Sequence, residues 1–432
     1  MPATQIDRPF RVKTPLGDDA LLLDSFVGVE RVSDPFRFVL RLLSPDPNVD
    51  MQSLLTKPAV LTFQLEGDAE RHIHGNICRM KLLEVGADNM AAYEAEVVPW
   101  FWFLTLFSDC RIFQNMAVPD IVEKVFKDRG FSDFKSDLQG TYNPREYCVQ
   151  YRETDFNFVS RLLEEEGIFY FFEQSEDKHT MVLADDVSAF AACPNQPNQA
   201  SARFAPSVGG RLDEEVVFTL EAEYRVQTGT ASHTDYDFTK PNSSLFATLA
   251  GQQKGEAYDY PGKYTTKDDG DHYARIRLEE LEVGISTVRG ESNCMGFESG
   301  YKFTLSDHYR DDANTDYTLL MVEHHARNAS YQAGEVVDPF EYRNRFEAIP
   351  NAVPFRPPRR ARKPVIDGTQ TAVVVGKSGE EIWTDKYGRI KVHFHWDQQG
   401  KKNEEDSCWV RVAQGWGANS GAACFCLGSG RR

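Results

Sequence analysis

Three pairs of histidines are the residues of this chain best suited to hold a metal or move a proton. His393 and His395 stand two apart in an alternating segment, a spacing that can aim two imidazoles at one ion. A zinc site needs a third and usually a fourth ligand, and no cysteine or acid pattern beside them supplies one. They read instead as two solvent-facing residues on the polar side of a strand. His72 and His74 share that spacing and the same shortfall. His324 and His325 are adjacent, so on a strand they point to opposite faces. Gly376-Lys377-Ser378 resembles the end of a phosphate loop, but Thr371 stands where that loop requires glycine, so a hairpin turn is expected. Glu164, Glu165 and Glu166 occupy consecutive positions of a predicted helix. They point in different directions and form no acid–base pair, which reads as a charged, solvated helix end. Eight cysteines include no C-x-x-C pair, and no G-x-S-x-G or H-E-x-x-H signature occurs. The sequence therefore assigns no catalytic, cofactor-binding or metal-binding residue, no cofactor and no enzymatic activity.

Composition points the same way. With 66 acidic against 48 basic residues the net charge is −18, unfavourable for nucleic acid or anionic lipid. The first residues show no basic and then apolar signal, and without one reduced thiols are expected. The longest apolar run, residues 97–107, is about half of the ~20 residues a membrane span needs. It contains Pro99 and is expected to be a buried pair of strands, with no stable membrane insertion. At 432 residues, 41% hydrophobic and 12% aromatic, the chain has material for two to four packed domains.

The elements that must position these residues are mainly strands. Residues 37–43, 168–172, 215–227 and 316–326 are rich in β-branched and aromatic side chains and are bounded by turn residues. Three helices interrupt them. Pro119 and Asp120 open one, with Ile121, Val122, Val125 and Phe126 on its apolar face. Thr154 caps a second, with Phe156, Val159 and Leu163 inward and Gly167 at its end. A third spans about 271–283 and closes at Gly284. Between Pro350 and Pro364, prolines and basic residues mark a linker, expected to lie as a stem along an acidic neighbour. Beyond it, short strands at 371–375, 389–397 and 407–412, with turns at 377–380 and 385–388, predict a small closed barrel such as an OB-fold. Within 389–397, Ile390, Val392, Phe394 and Trp396 are expected on one face and Lys391, His393, His395 and Asp397 on the other.

Three stretches together resemble the VgrG family, the spike subunit of bacterial type VI secretion. They are Tyr147–Phe156 with Phe158–Tyr170, Cys110–Asn115 with Val118–Ile121, and Glu380–Val392 ending in His395-Trp396-Asp397. The resemblance runs from about Phe36 to Gly417. It implies a mainly β protein similar to contractile-phage tail hubs. Residues 1–349 would form the hub base of two related β-barrels plus helices, 350–364 a linker, and 365–432 an incomplete OB-fold that begins the spike. Three chains would assemble as a homotrimer, and two similar barrels per chain would give a pseudo-six-fold base for the Hcp tube. Effectors or adaptors would be further partners, with a PAAR-type tip only where a needle is present. The protein would be made in the cytoplasm and secreted by the type VI apparatus. Alternative functions are a hub-fused cell-wall hydrolase and a stand-alone carbohydrate-binding β protein. The sequence departs from the family after Gln414-Gly415-Trp416. One codon choice for residues 425–432, read in a shifted frame, spells the family's next segment, Leu-Pro-Arg-Ile-Gly-Gln-Glu. A frameshift that truncates the chain is expected, with an aberrant tail from about residue 420.

Overall fold

Alternation builds the first long strands. In Asp34–Ser44 the residues Phe36, Phe38, Leu40 and Leu42 are buried, while Arg37 and Arg41 face out. The computed structural model describes residues 4–65, 69–86, 90–193, 201–206, 214–331 and 340–413. The expected tail from about residue 420, with Cys424 and Cys426, lies outside them. The chain divides into two compact units. The first is Met1–Trp102, Asp133–Gln139 and Gly167–Pro358, and the second is Phe103–Ser132, Gly140–Glu166 and Arg359–Arg432. The units cut across the contiguous division expected at 350–364, because two stretches before residue 167 belong to the second unit.

A 13-stranded sheet dominates the first unit. Six of its strands follow in the spatial order Phe10–Lys13, Pro58–Gln64, Glu70–Val85, Ala91–Val98, Asp34–Ser44 and Leu22–Arg31. The ends of this set are bridged by side chains. The Gln5 amide donates to the Val12 and Leu21 carbonyls at 3.0 and 3.2 Å and accepts from the Val12 and Leu23 N–H groups, both at 3.0 Å. Asn328 donates to the Phe10 and Leu23 carbonyls, both at 2.8 Å. Two side-chain amides thus stand in for a missing run of strand–strand bonds. Phe10, Phe26 and Phe63 pack edge to face inside, at 5.3–5.6 Å between centroids.

The second barrel closes through backbone pairing alone. Asp316–Arg327 pairs with Glu341–Pro350, followed by Ser286–Ser292, Val216–Tyr224, Ser201–Phe204 and Tyr301–Ser306, which returns to Asp316–Arg327. Asp316–Arg327 also pairs antiparallel with Leu22–Arg31, so the two barrels are fused in one sheet. A closed six-stranded barrel with further strands in the same sheet is therefore present, in a mainly β chain as expected.

Replacing Gln5 with alanine would leave the buried Val12 and Leu23 N–H groups without acceptors. The expected cost is about 2 kcal/mol in urea unfolding. A change within about 0.5 kcal/mol, the scale of an ordinary surface substitution, would show that the bridge is dispensable.

Four α-helices are present among the described residues: α1 Met51–Leu54, α2 Val118–Asp128, α3 Asp155–Glu166 and α4 Lys267–Glu282. In α2 the expected face is the buried one. In α3, Thr154 Oγ1 caps the N–H of Asn157 at 3.1 Å as expected. The buried face is Phe158, Val159, Leu162 and Leu163, and Phe156 is only half-buried. Helix α4 starts earlier than expected because Thr266 caps it at Asp269.

Residues 97–107 do not form two strands. Ala91–Val98 ends before Pro99, and Trp100–Leu106 is a 3-10 helix, since proline offers no ladder donor. In the second unit the expected strand at 389–397 shortens to Lys391–Phe394, which among the described residues pairs with Ala372–Val375. The expected strand at 407–412 is reduced to one bridge between Ile390 and Val410. Both expected turns form, with Gly379 and Gly388 at positive φ. The described residues here make a two-stranded sheet.

Candidate functional site

The first barrel places two charged side chains where water is excluded, and the second barrel answers them. Arg71, on Glu70–Val85, and Glu30, on Leu22–Arg31, form an ion pair with side chains 2% and 6% exposed. Asp316–Arg327 supplies His324, whose Nε2 donates to Glu30 at 2.6 Å. His324 Nδ1 accepts from the Tyr342 hydroxyl at 2.7 Å, and that hydroxyl accepts from Asn344 at 3.3 Å. Arg71 also donates to the Met295 carbonyl at 3.0 Å and lies 3.6 Å from Glu298. Gly28 makes room for this arrangement. A Cβ there would meet the Phe38 ring at 2.1 Å, and that ring stacks on His324.

The charge states follow. Burial pushes Glu30 up, but Arg71 and His324 outweigh it and hold the carboxyl below its ordinary range. Burial lowers His324, keeping it neutral against the pull of Glu30. With one guanidinium between two carboxyls, the second keeps its proton. Burial pushes Glu298 up to about 8, with Glu30 adding to the rise and Arg71 opposing it. A carboxyl raised from 4.5 contributes its full stability below about pH 4.5 and loses it as pH rises toward 8. Glu298→Gln is therefore expected to stabilise the chain at pH 7.5 by roughly 1–3 kcal/mol, with the gain vanishing near pH 4.5. Equal melting shifts at both pH values would contradict this.

The second unit has its own buried framework, built from the stretches that carry the family resemblance. Asp155 is fully buried and accepts from Arg111 at 2.9 Å, Arg129 at 2.6 Å and Gln150 at 2.7 Å. Glu153 binds Arg161 through several hydrogen bonds, the shortest 2.7 Å. Strict alternation would put Gln150 and Glu153 on opposite faces of Cys148–Thr154. A register shift opposite Asp109 and Cys110 leaves Arg152 as a bulge at φ 49°. The extra residue returns Glu153 to the buried side with Gln150.

The residues singled out from sequence take structural roles. His393 is not solvent-facing. It is buried and its Nδ1 lies 2.7 Å from Asp406, whose carboxylate also accepts the N–H groups of Lys401 and Lys402. The loop after Asp397 folds over that side of the strand, and Asp397 is buried with it, while His395 remains exposed. His72 contacts Thr62, and His74 pairs with His179. His324 is buried and His325 outward, as adjacency requires. No cluster of three or more histidine, cysteine or acidic residues among the described residues could hold a metal. The described cysteines, Cys78, Cys110, Cys148, Cys193, Cys294 and Cys408, are free thiols.

Glu164–Glu166 are not a solvated end. Glu165 and Glu166 bind Arg145 at 2.7 and 2.5 Å, and Glu166 is buried. Glu164 accepts the backbone N–H groups of Arg360 and Ala361, and Glu165 lies 3.8 Å from Lys363. This is the acidic neighbour expected for the basic stem. Sequence patterning could not find it, because the two segments lie nearly two hundred residues apart.

The arrangement in the first unit is one of buried ion pairs and hydrogen bonds. It offers rigid barrels with apolar residues left outside, among them Leu82, Leu83 and Val85 on one strand and Tyr224, Val226 and Tyr309 elsewhere. No helix among the described residues is long and apolar enough to cross a membrane. Such fused barrels define a tail-hub scaffold, and the comparisons agree. The family model described as phage tail baseplate hub (GPD) matches residues 29–330, and the chain belongs to that family. It is 40% identical over 428 residues to the type VI secretion system spike protein VgrG1b of Pseudomonas aeruginosa, matching 98% of this chain and 57% of the relative. It is also 40% identical to VgrG1a of the same organism, matching 97% of this chain and 65% of that one. The chain thus spans less than two thirds of these relatives. Among solved structures, the E. coli c3393 protein matches with TM-score 0.69 and 25% identity over 93% of both chains. That protein is a type VI secretion component with structural similarity to the T4 bacteriophage tail proteins gp27 and gp5.

Proposed function

We propose that this chain is a non-enzymatic spike and hub subunit of a type VI secretion system. The observation that carries the reading is the closed six-stranded barrel whose strand Asp316–Arg327 pairs with Leu22–Arg31 and so joins it to the six strands of the first barrel. Three such chains around an axis would present six barrels, a base that fits a six-membered Hcp ring. In this reading residues 1–349 supply the base, 350–364 the linker and 365–432 the start of the spike. Effectors or adaptors would ride on the assembly, a PAAR-type tip would cap it where a needle is present, and the apparatus would carry it out of the cell. The similarity to VgrG1a and VgrG1b supports this assignment.

The test is the absolute solution mass of the purified chain by light scattering. A mass of three chains is expected. A monomer that stays monomeric when joined to a relative's needle would overturn the trimeric-hub reading.

A further inference from the structure

His74 and His179 face each other Nδ1 to Nδ1 at 3.0 Å. His179 Nε2 takes the backbone N–H of Trp100 at 2.9 Å, so that nitrogen carries no proton. The neutral ring must then be protonated at Nδ1 and donate to His74 Nδ1. His74 therefore carries its own proton on Nε2. The shared line holds one proton and has no place for a second. Charging His74 would set two N–H groups against each other. Charging His179 at Nε2 would set a proton against the Trp100 N–H. Each way of protonating the pair breaks a hydrogen bond.

The bonds at stake tie three segments together. His74 lies on Glu70–Val85 of the first barrel, and His179 opens the strand His179–Ala184. Trp100 heads the 3-10 helix Trp100–Leu106, and its indole donates to the Asp133 carbonyl at 3.1 Å. The chain leaves this unit at Trp102 and returns at Asp133, so the pair sits at its exit and re-entry.

The surroundings favour the neutral state. Phe36 and Phe172 lie edge-on to His179 at 5.6 and 5.8 Å, and Gln174 accepts the His74 N–H at 3.0 Å. Burial holds His74 low against the pull of Asp133 and Asp177. Burial and then His74 hold His179 down to about 3. The other charged groups nearby are already engaged. Lys178 lies 3.7 Å from Asp133, Lys13 binds Glu176, and His72 lies 3.7 Å from Glu70.

We propose that the His74–His179 pair is a proton-operated latch, which when neutral ties the barrel strand, the following hairpin and the Trp100 exit turn together, and which opens under mild acid to free that turn. The inference rests on hydrogen-bond geometry and is independent of the family reading. Opening exposes imidazoles that titrate near their ordinary value of 6.5, so the closed state is favoured above that pH and weakened below it.

Hydrogen exchange at the Trp100 amide of the full chain tests it, corrected for intrinsic exchange chemistry. Opening that takes up one proton should rise about tenfold per pH unit below about 6.5. His74→Gln keeps an acceptor for His179 and removes the first titrating ring, so its exchange should lose most of that slope. Exchange in the natural chain that is flat between pH 7.5 and 5, or an equal slope in the variant, would overturn the latch. Where the variant does not fold, nitrogen NMR of the natural chain decides. The Nδ1–H form of His179 with the Nε2–H form of His74 at pH 7.5 supports the proposal, and the reverse assignment ends it.

Discussion

Asp155→Ala is expected to cost the chain about 3–5 kcal/mol, one of the two largest single-substitution losses in the molecule. The carboxylate is fully buried and answers Arg111 and Arg129 at once. Arg111 is itself only 3% exposed, and its other acids, Asp109 and Asp128, stand at 3.6 Å. Removing Asp155 strands a guanidinium away from water, and that uncompensated charge is what makes breaking a buried pair expensive. Exchange of the amides in Ser108–Phe113 and Cys148–Thr154 would report the loss locally. Lys124→Ala is the control. Lys124 makes an exposed i,i+4 pair with Asp128, worth about 0.3–0.5 kcal/mol. Similar losses from the two variants would show that Asp155 is not the anchor of its framework.

The second large effect is at the join of the barrels. Arg71→Met is expected to cost about 3–5 kcal/mol in urea unfolding, because Glu30 would keep only His324 as a partner. The penalty comes from the charge left behind. The triple variant Arg71→Met, Glu30→Gln, Glu298→Gln removes every formal charge of the network and should regain more than half of the loss. A triple variant no more stable than Arg71→Met alone would mean that most of the cost lies in the lost packing of Arg71 against the Phe63 ring, 5.1 Å away.

Much of the scaffold is legible in the residues. Helix α2 follows from Pro119 and its apolar spacing, and helix α3 from Thr154 and Gly167, because capping and periodicity are local. The strand read at 37–43 from its β-forming residues and the turn after it is present within Asp34–Ser44. Other readings failed where distant chain segments decide the environment. His393 lies on the polar side of its strand by alternation, yet Asp406 covers it. Glu164–Glu166 look like a solvated helix end, yet Arg145 and the basic stem occupy them. The bulge at Arg152 leaves no mark in composition, so the inward turn of Glu153 was invisible.

Local spacing and the long family-like stretches were enough to establish a mainly β chain, the helices α2 and α3, the lack of a catalytic signature and the kinship with tail hubs. Those properties depend on near neighbours along the chain. The tertiary structure alone decided that Gln5 and Asn328 bridge the first barrel, that Arg71 serves Glu30 and Glu298 together, and that His74 meets His179. These are pairings between residues far apart in sequence. Their energies come from excluding water around groups that must then find partners, and only the closed barrels exclude that water.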